Sequence, residues 1–556
     1  MSDPTASPTQ PSIPVPEPPA PEPPLPAPSG RHAALSGVVA AAAALATGEL
    51  VAALLPGAPS PVSAVGAAVI DLAPPGTKEV VVGLLGQWDK PVLQVLVAAV
   101  VLGAGALIGL AARRSDVPAS VGIGALGIVG ALAGLRQADA QSTLVVLSAI
   151  LQGGVGMQTL LILRAWATPR GEPSASGASA TDGVRRRFLA RAGVVALASV
   201  GGFSIGRAIL GARADGAAAV VSGGDGTTPG ATGAPGTAHV IPQAVDPAAS
   251  PSPDDAFALD GISPLVTPNE DFYQIDTALV TPAVNLDTWQ LRIHGMVERE
   301  VTLTFDELVA MPLVERYVTI ACVSNEVGGR LIGNARWTGV RLTDVLELAG
   351  VRDGATQIVP RSVDGWTAGF PTAWVTAPER ERDALIAVAM NGEPLPARHG
   401  FPARLIVPGL YGYVSATKWL SDIELTTLEA FDAYWVPRGW AKEAPILTQS
   451  RIDTPREGAS VPAGTVAIGG VAWAPDRGIS RVEVALDDGP WQDAILAGAI
   501  GPQTWVQWKL AADLAVGRHT IRVRATDGTG TVQEDRFTPP DPDGARGHHA
   551  IAVNVI

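Results

Sequence analysis

Val318-Thr319-Ile320-Ala321-Cys322-Val323-Ser324-Asn325-Glu326-Val327-Gly328-Gly329 is a β-branched run that ends in the chain's single cysteine and opens into a polar, glycine-rich loop. The pattern predicts a strand with the thiol at its end. Strand ends that open into loops are where a rigid scaffold presents reactive groups, and a thiolate is a soft ligand suited to a soft or high-valent metal. By residue type alone the thiol is better read as an inert small hydrophobe, as most lone cysteines are, so its surroundings must decide. One cysteine in the chain excludes an intrachain disulfide framework, and it excludes zinc or iron–sulfur sites built from several cysteines of this chain.

Outward from that segment, short β-like runs at 290–294, 316–322 and 403–407 alternate with brief helices. One of these helices is opened by Thr304-Phe305-Asp306-Glu307, read as a capping box. Residues 263–440 therefore read as one α+β domain. From 441 to 556 the pattern changes to strands at 465–472, 479–486, 504–510, 519–525 and 550–555, separated by Gly- and Asp-rich turns. Regular spacing of this kind predicts an immunoglobulin-like β-sandwich.

The N-terminal half belongs to a different class. The 556 residues are 47% apolar and only 17% charged, a balance expected of a protein partly buried in lipid. Residues 1–30, rich in Pro, Glu, Ser and Ala, predict a disordered tail. The region 31–210 contains about five membrane-spanning helices, at 32–55, 91–112, 117–135, 141–166 and 188–210. A sixth candidate at 62–84 would reverse the placement of everything that follows. Arg31, Arg113, Arg114, Arg164, Arg170 and Arg185 to Arg187 fall on one side of a five-span arrangement, with Lys78, Lys90 and Arg136 on the other. The positive-inside rule then puts the N-terminus in the cytoplasm and everything after the fifth span outside it. Glu49 lies within the first span, where a carboxylate is expected to be an interhelical or proton-handling contact. Residues 211–262 read as a flexible linker. The net charge of −14 excludes a nucleic-acid partner, which would need a basic face.

Four stretches resemble, in the same order, the molybdopterin-binding domain of the sulfite oxidase family. They are Thr267-Pro268-Asn269-Glu270-Asp271-Phe272-Tyr273, the Cys322 segment, His399-Gly400-Phe401-Pro402-Ala403-Arg404, and the run from Tyr411 to Lys418-Trp419-Leu420. Gly469-Gly470-Val471-Ala472-Trp473, residues 479–484 and Asp487-Asp488-Gly489-Pro490-Trp491 extend the resemblance into the family's dimerisation domain. The resemblance implies a molybdenum-molybdopterin cofactor, oxygen-atom transfer and a homodimer. It implies Cys322 as the protein ligand to the metal. It also implies His399 and Arg404 as cofactor contacts with Lys418 beside them, Tyr273 and Gln274 lining the cofactor, Ser362 donating to its phosphate, and backbone amides offered by Ala416 and Thr417. A phosphate favours this donor set, because a guanidinium fork and an imidazole make charge-assisted hydrogen bonds to it.

Family members that oxidise sulfite carry two arginines at the positions occupied here by Ile275 and Val327. The loss makes the methionine-sulfoxide-reducing relatives a serious comparison, although His399 stands where those have asparagine. Neither haem nor flavin is expected, and His32 is the only histidine in the spans. Electrons then pass through a separate protein or a quinone-linked partner. Arg185-Arg186-Arg187-Phe188-Leu189 resembles a twin-arginine export signal, a pathway suited to a domain that folds around its cofactor before export. The competing expectation from another class is a membrane-tethered binding module with a degenerate cofactor fold.

Overall fold

A computed structural model describes residues 29–74, 77, 81, 84–85, 88–113, 115–138, 140–167, 177–219, 221–223, 239–377 and 384–556. The Pro-rich tail lies outside the described residues, apart from its last two. Among the described residues, the N-terminal bundle includes six helices: α1 (Gly30–Leu54), α2 (Pro61–Leu72), α3 (Asp89–Ala111), α4 (Val117–Gly134), α5 (Ser142–Ala167) and α6 (Gly177–Ala218). All but α2 are long and apolar enough to cross a bilayer. Of the sixth candidate, 62–84, residues 62–72 fall in α2, whose 12 residues rise only about 18 Å against a hydrocarbon core of about 30 Å, and residues 75, 76, 78–80, 82 and 83 lie outside the described residues.

Small residues let these helices touch backbone to backbone. A Cβ on Gly37 of α1 would lie 1.9 Å from the Gly105 carbonyl oxygen of α3, so only glycine permits this approach. Helix α1 packs against α3, α5 and α6. Glu49 is buried within the bundle, accepting from Ser60 Oγ at 2.7 Å, with Arg207 of α6 3.8 Å away. At one end of the bundle His32 stacks obliquely on Phe188, their ring centroids 4.7 Å apart. At the other end the Leu54 carbonyl accepts from Arg213.

The α+β region holds two five-stranded sheets. One runs β10 (Glu393–Pro394), β9 (Leu385–Met390), β6 (Ile332–Arg341), β5 (Leu313–Ala321), with β11 (Arg404–Ile406) also paired to β9. The other runs β4 (Val301–Thr304), β3 (Gln290–Gly295), β12 (Leu420–Thr426), β7 (Gln357–Ser362), β8 (Phe370–Pro371). The Thr304 capping box forms as expected, its side chain and that of Glu307 bonding reciprocally to backbone N–H groups. A short parallel pair, β1 (Val221–Gly223) and β2 (His239–Ile241), precedes them.

The C-terminal region is two facing sheets. One is β13 (Gln449–Thr454), β15 (Gly464–Trp473), β19 (Val506–Leu514), β18 (Ile495–Leu496). The other is β14 (Ser460–Val461), β21 (His549–Val555), β20 (Gly517–Asp527), β16 (Ile479–Leu486), β17 (Gln492–Asp493). Alternate residues such as Ile468, Trp508, Val484, Val523 and Val553 face inward and form one core, as period-two strands require.

Within the stretch read as a linker, residues 211–218 continue α6, while 220 and 224–238 lie outside the described residues. Residues 254–262 lie against the C-terminal sheets, where the Phe257 N–H donates to Gln507 Oε1 at 2.7 Å, and residues 239–248 lie along the α+β region. Val245 N–H donates to Leu313 O at 2.8 Å, and Asp246 accepts from Arg316 at 2.7 Å and Arg341 at 3.1 Å. The reason is the edge of β5, whose unpaired backbone groups this segment satisfies despite having no apolar pattern of its own.

The α+β region also rests on the bundle. Lys90 of α3 donates to Asp276 and to Ala278 O, Gln94 donates to Leu279 O at 2.8 Å, and Tyr434 OH donates to Asp71 at 3.1 Å.

Candidate functional site

Cys322 is the first residue beyond β5, 8% exposed, and its N–H donates to Leu331 O at 2.9 Å. The loop it opens is closed from within: Asn325 N–H donates to Cys322 O, and Asn325 Oδ1 accepts the Leu331 N–H at 2.7 Å. The sheet-on-sheet region clamps the same loop from outside, through Arg451 Nη1 donating to Gly329 O at 2.8 Å. Gly328 has φ +75°, and a Cβ there would collide with the His549 ring. The thiol is thus held on a rigid support.

Two phenols flank it. Burial pushes Tyr273 up, and a thiolate at Cys322 pushes it further while Arg404 pulls the other way. Tyr411 is pushed up to about 12, chiefly by burial. Both therefore remain protonated at neutral pH and can donate hydrogen bonds.

Beyond Tyr273 the chain gathers a basic pocket. Gly400, at φ +116°, lets the 399–404 turn cross Lys418, whose Cα lies 2.9 Å from where a Cβ would stand. His399 is fully buried. Its Nε2 lies 2.8 Å from the Asn269 carbonyl and must donate to it, and Nδ1 has no partner. Arg404 lies over the Trp337 ring at 5.3 Å and donates from Nη1 to His399 O at 3.1 Å, leaving Nε without a partner. Burial lowers Arg404 to about 10. Lys418 donates to Asp276 Oδ2 at 2.8 Å and to Arg398 O at 3.0 Å. Burial is also the main cause that lowers Lys418 to about 8, against the pull of Asp276.

His399, Arg404, Thr417 and Lys418 are thus brought together. Ser362 is buried near Asp364, its Oγ without a hydrogen bond of ordinary geometry, on β7 beside Leu420 of β12. Gln274 is exposed at the rim, 3.4 Å from Asp276. The amides of Ala416 and Thr417 are already used within their own turn, donating to Gly412 O at 2.9 Å and Ser415 O at 3.2 Å. What Thr417 leaves over instead is a buried, unpartnered hydroxyl.

The sequence reading did not single out Asp276, Trp337 or Asn325 for the site, and it used Lys90 only as a topology marker. An acid three residues past Tyr273, surrounded by basic motifs, was the available signal for Asp276.

Among the described residues, no group of three or more His, Cys, Asp and Glu side chains is placed to hold a metal. The cofactor implied by the resemblance carries a phosphate. The donor set fits a phosphate-bearing one, since Nδ1 of His399, Nε of Arg404 and Oγ1 of Thr417 are buried without partners beside two cations, and leaving such groups unpaired is costly.

Burial, with Arg404 as the next cause, depresses His399 from 6.5 to about 3. In cofactor-free protein the unfolded chain therefore binds this proton first as pH falls, so stability present at neutral pH is lost progressively between about 6.5 and 3. His399→Asn is expected to flatten that part of the stability profile, as measured by urea unfolding at successive pH values. An unchanged slope would refute the assignment.

Comparison with known proteins places these residues in context. The family model described as oxidoreductase molybdopterin binding domain matches residues 278–435. Mitochondrial sulfite oxidase of Mus musculus is 32% identical over 324 residues, covering 49% of this chain and 58% of that protein. The chain thus spans little more than half the length of that relative. An uncharacterized oxidoreductase of Bacillus subtilis, YuiH, is 34% identical over 179 residues, covering 32% of this chain and 85% of that one. The solved sulfane dehydrogenase SoxCD from Paracoccus pantotrophus aligns with a TM-score of 0.46 at 24% identity, over 55% of this chain and 88% of that chain. With identity to YuiH spread over most of that protein, and with the family's molybdopterin-binding region lying across Cys322, His399, Arg404 and Lys418, the chain belongs to the sulfite oxidase family of molybdopterin-dependent oxidoreductases.

Proposed function

We propose that this chain is a membrane-anchored molybdenum-cofactor oxidoreductase that transfers an oxygen atom to or from an extracytoplasmic substrate. The observation that carries the reading is the set of buried, unpartnered polar atoms on His399, Arg404 and Thr417 beside Lys418, on the far side of Tyr273 from the fixed Cys322 thiol. When bound, the molybdenum-molybdopterin group supplies two-electron redox chemistry coupled to oxygen-atom transfer. The chain's own residues do the rest. Cys322 holds the metal at the end of β5, the basic pocket holds the phosphate, and Tyr411 keeps a proton available beside the thiol.

Ile275, which is 46% exposed, and the half-buried Val327 favour a neutral substrate such as a sulfoxide over sulfite. Each aliphatic side chain forgoes a charge-assisted hydrogen bond worth ~1.5–3 kcal/mol to an oxyanion. The arginine distribution supports a cytoplasmic N-terminus. Arg113 lies near Gly30 and the Arg185 to Arg187 run lies by His32, whereas the α+β region meets the opposite end of the bundle through Lys90 and Asp71. The immunoglobulin-like region supports a homodimer by its resemblance to the family's dimerisation domain, and the acidic net charge of −14 suits a basic electron-transfer partner.

The test is purification from a cofactor-competent host, followed by elemental analysis and paired assays. Bound molybdenum with faster sulfoxide reduction than sulfite oxidation is expected. Folded protein that carries no molybdenum would overturn the reading, and rapid sulfite turnover would overturn the substrate class.

A further inference from the structure

Asp276 is a carboxylate with a side chain only 8% exposed, wedged between two lysines from different parts of the molecule. Its Oδ2 accepts from Lys418 at 2.8 Å, and its Oδ1 accepts from Lys90. Lys418 belongs to the basic pocket. Lys90 belongs to the first turn of α3, a helix of the membrane bundle, and its ammonium is held in place by a second bond to Ala278 O at 2.9 Å. The contact is reinforced one turn further along α3, where Gln94 donates to Leu279 O and accepts from Arg207.

Charge arithmetic gives Lys90 a purpose. Alone, Asp276 and Lys418 would neutralise one another, leaving the pocket with Arg404 against an incoming phosphate. With Lys90 bound to the other oxygen of Asp276, the three groups together carry one net positive charge, and Lys418 is not consumed by its partner. An ammonium has three donors. Those of Lys418 that bond to Asp276 and Arg398 O leave a third for an anion. The polar atoms without partners beside it, Arg404 Nε, His399 Nδ1 and Thr417 Oγ1, mark where that anion would sit.

We propose that Lys90 is a positioning residue of the cofactor site. By satisfying Asp276 it keeps Lys418 available to the cofactor's phosphate, so that retention of the cofactor depends on the docking of a membrane helix onto the catalytic domain. The proposal rests on the cofactor-binding reading above, and it makes the bundle part of the site in addition to an anchor.

The experiment uses the full-length chain, purified in detergent from a cofactor-competent host. Molybdenum is measured by elemental analysis and pterin by fluorescence after oxidative release, both independent of turnover. Lys90→Met is expected to retain cofactor about tenfold less tightly, a change of one decade in affinity, seen as lower metal and pterin content after dialysis. Lys90→Arg should retain the parental content. The double variant Lys90→Met with Asp276→Asn should recover it, because the competing carboxylate is gone. If the parent itself carries neither metal nor pterin, the underlying functional reading fails. If the parent is loaded and Lys90→Met is equally loaded, only this inference fails. If Lys90→Met loses cofactor and the double variant does not recover it, the lysine is merely structural and the inference also fails.

Discussion

Cys322→Ser is expected to remove molybdenum-dependent activity while leaving the fold intact. Serine differs from cysteine by one atom, and the site is a loop already closed by Asn325, Leu331 and Arg451. Stability should therefore change by no more than about 1 kcal/mol. Activity is another matter, because Cys322 is the chain's single thiol. Loss of a group that merely supports a metal ligand costs ~10–100-fold, so loss of the ligand itself should exceed the upper end of that range. Activity, metal content and thermal unfolding measured on the same preparation separate the two effects. A serine variant with more than a tenth of parental turnover would remove Cys322 from the metal centre.

Trp337→Ala is expected to give the largest loss of stability of any variant considered. The ring is fully buried, its Nε1 donates to Val318 O at 3.2 Å, Phe272 meets it edge-on at 5.8 Å between centroids, and the Arg404 guanidinium lies over it. Truncating a buried Trp costs ~3–5 kcal/mol. For a domain of this size that corresponds to a fall in Tm on the order of 10 °C. Val318 lies four residues before Cys322 on the strand that positions it, and Arg404 loses its platform, so metal content should fall as well. Trp337→Phe keeps a ring under Arg404 and gives up only the second hydrogen bond to Val318 O, whose carbonyl stays in the β5–β6 ladder, at a net cost of roughly 0.5–1.5 kcal/mol. Phe should therefore retain more cofactor than Ala. Equal melting temperatures for the parent and Trp337→Ala would contradict the packing account.

Both predictions rest on features of different legibility. The strand ending at Cys322, the Thr304 capping box and the strands from 465 onward are encoded within a few residues, by β-branched runs, a three-residue reciprocal cap and alternating burial. The apolar runs that became α1, α3, α4 and α5 were equally plain, because spanning length is a local property of composition. Trp337 beneath Arg404 was not legible, since nothing along the chain says which aromatic a guanidinium will cover. Nor was the amide pairing of Ala416 and Thr417, which depends on a single helical turn at Gly412–Ser415 too short to leave a periodic pattern.

By itself the amino-acid sequence determined the order of the regions, the helices long and apolar enough for a membrane, and the residue types of the site, because each is written in neighbours that interact within one element. Only the tertiary structure decided how the regions meet. Residues 245–248 lie against β5 because an exposed strand edge needs partners, whatever the composition that supplies them. Asp276 joins Lys418, 142 residues away, to Lys90, 186 residues away, because a buried carboxylate must find its countercharge in space, and chain distance places no limit on where that charge comes from.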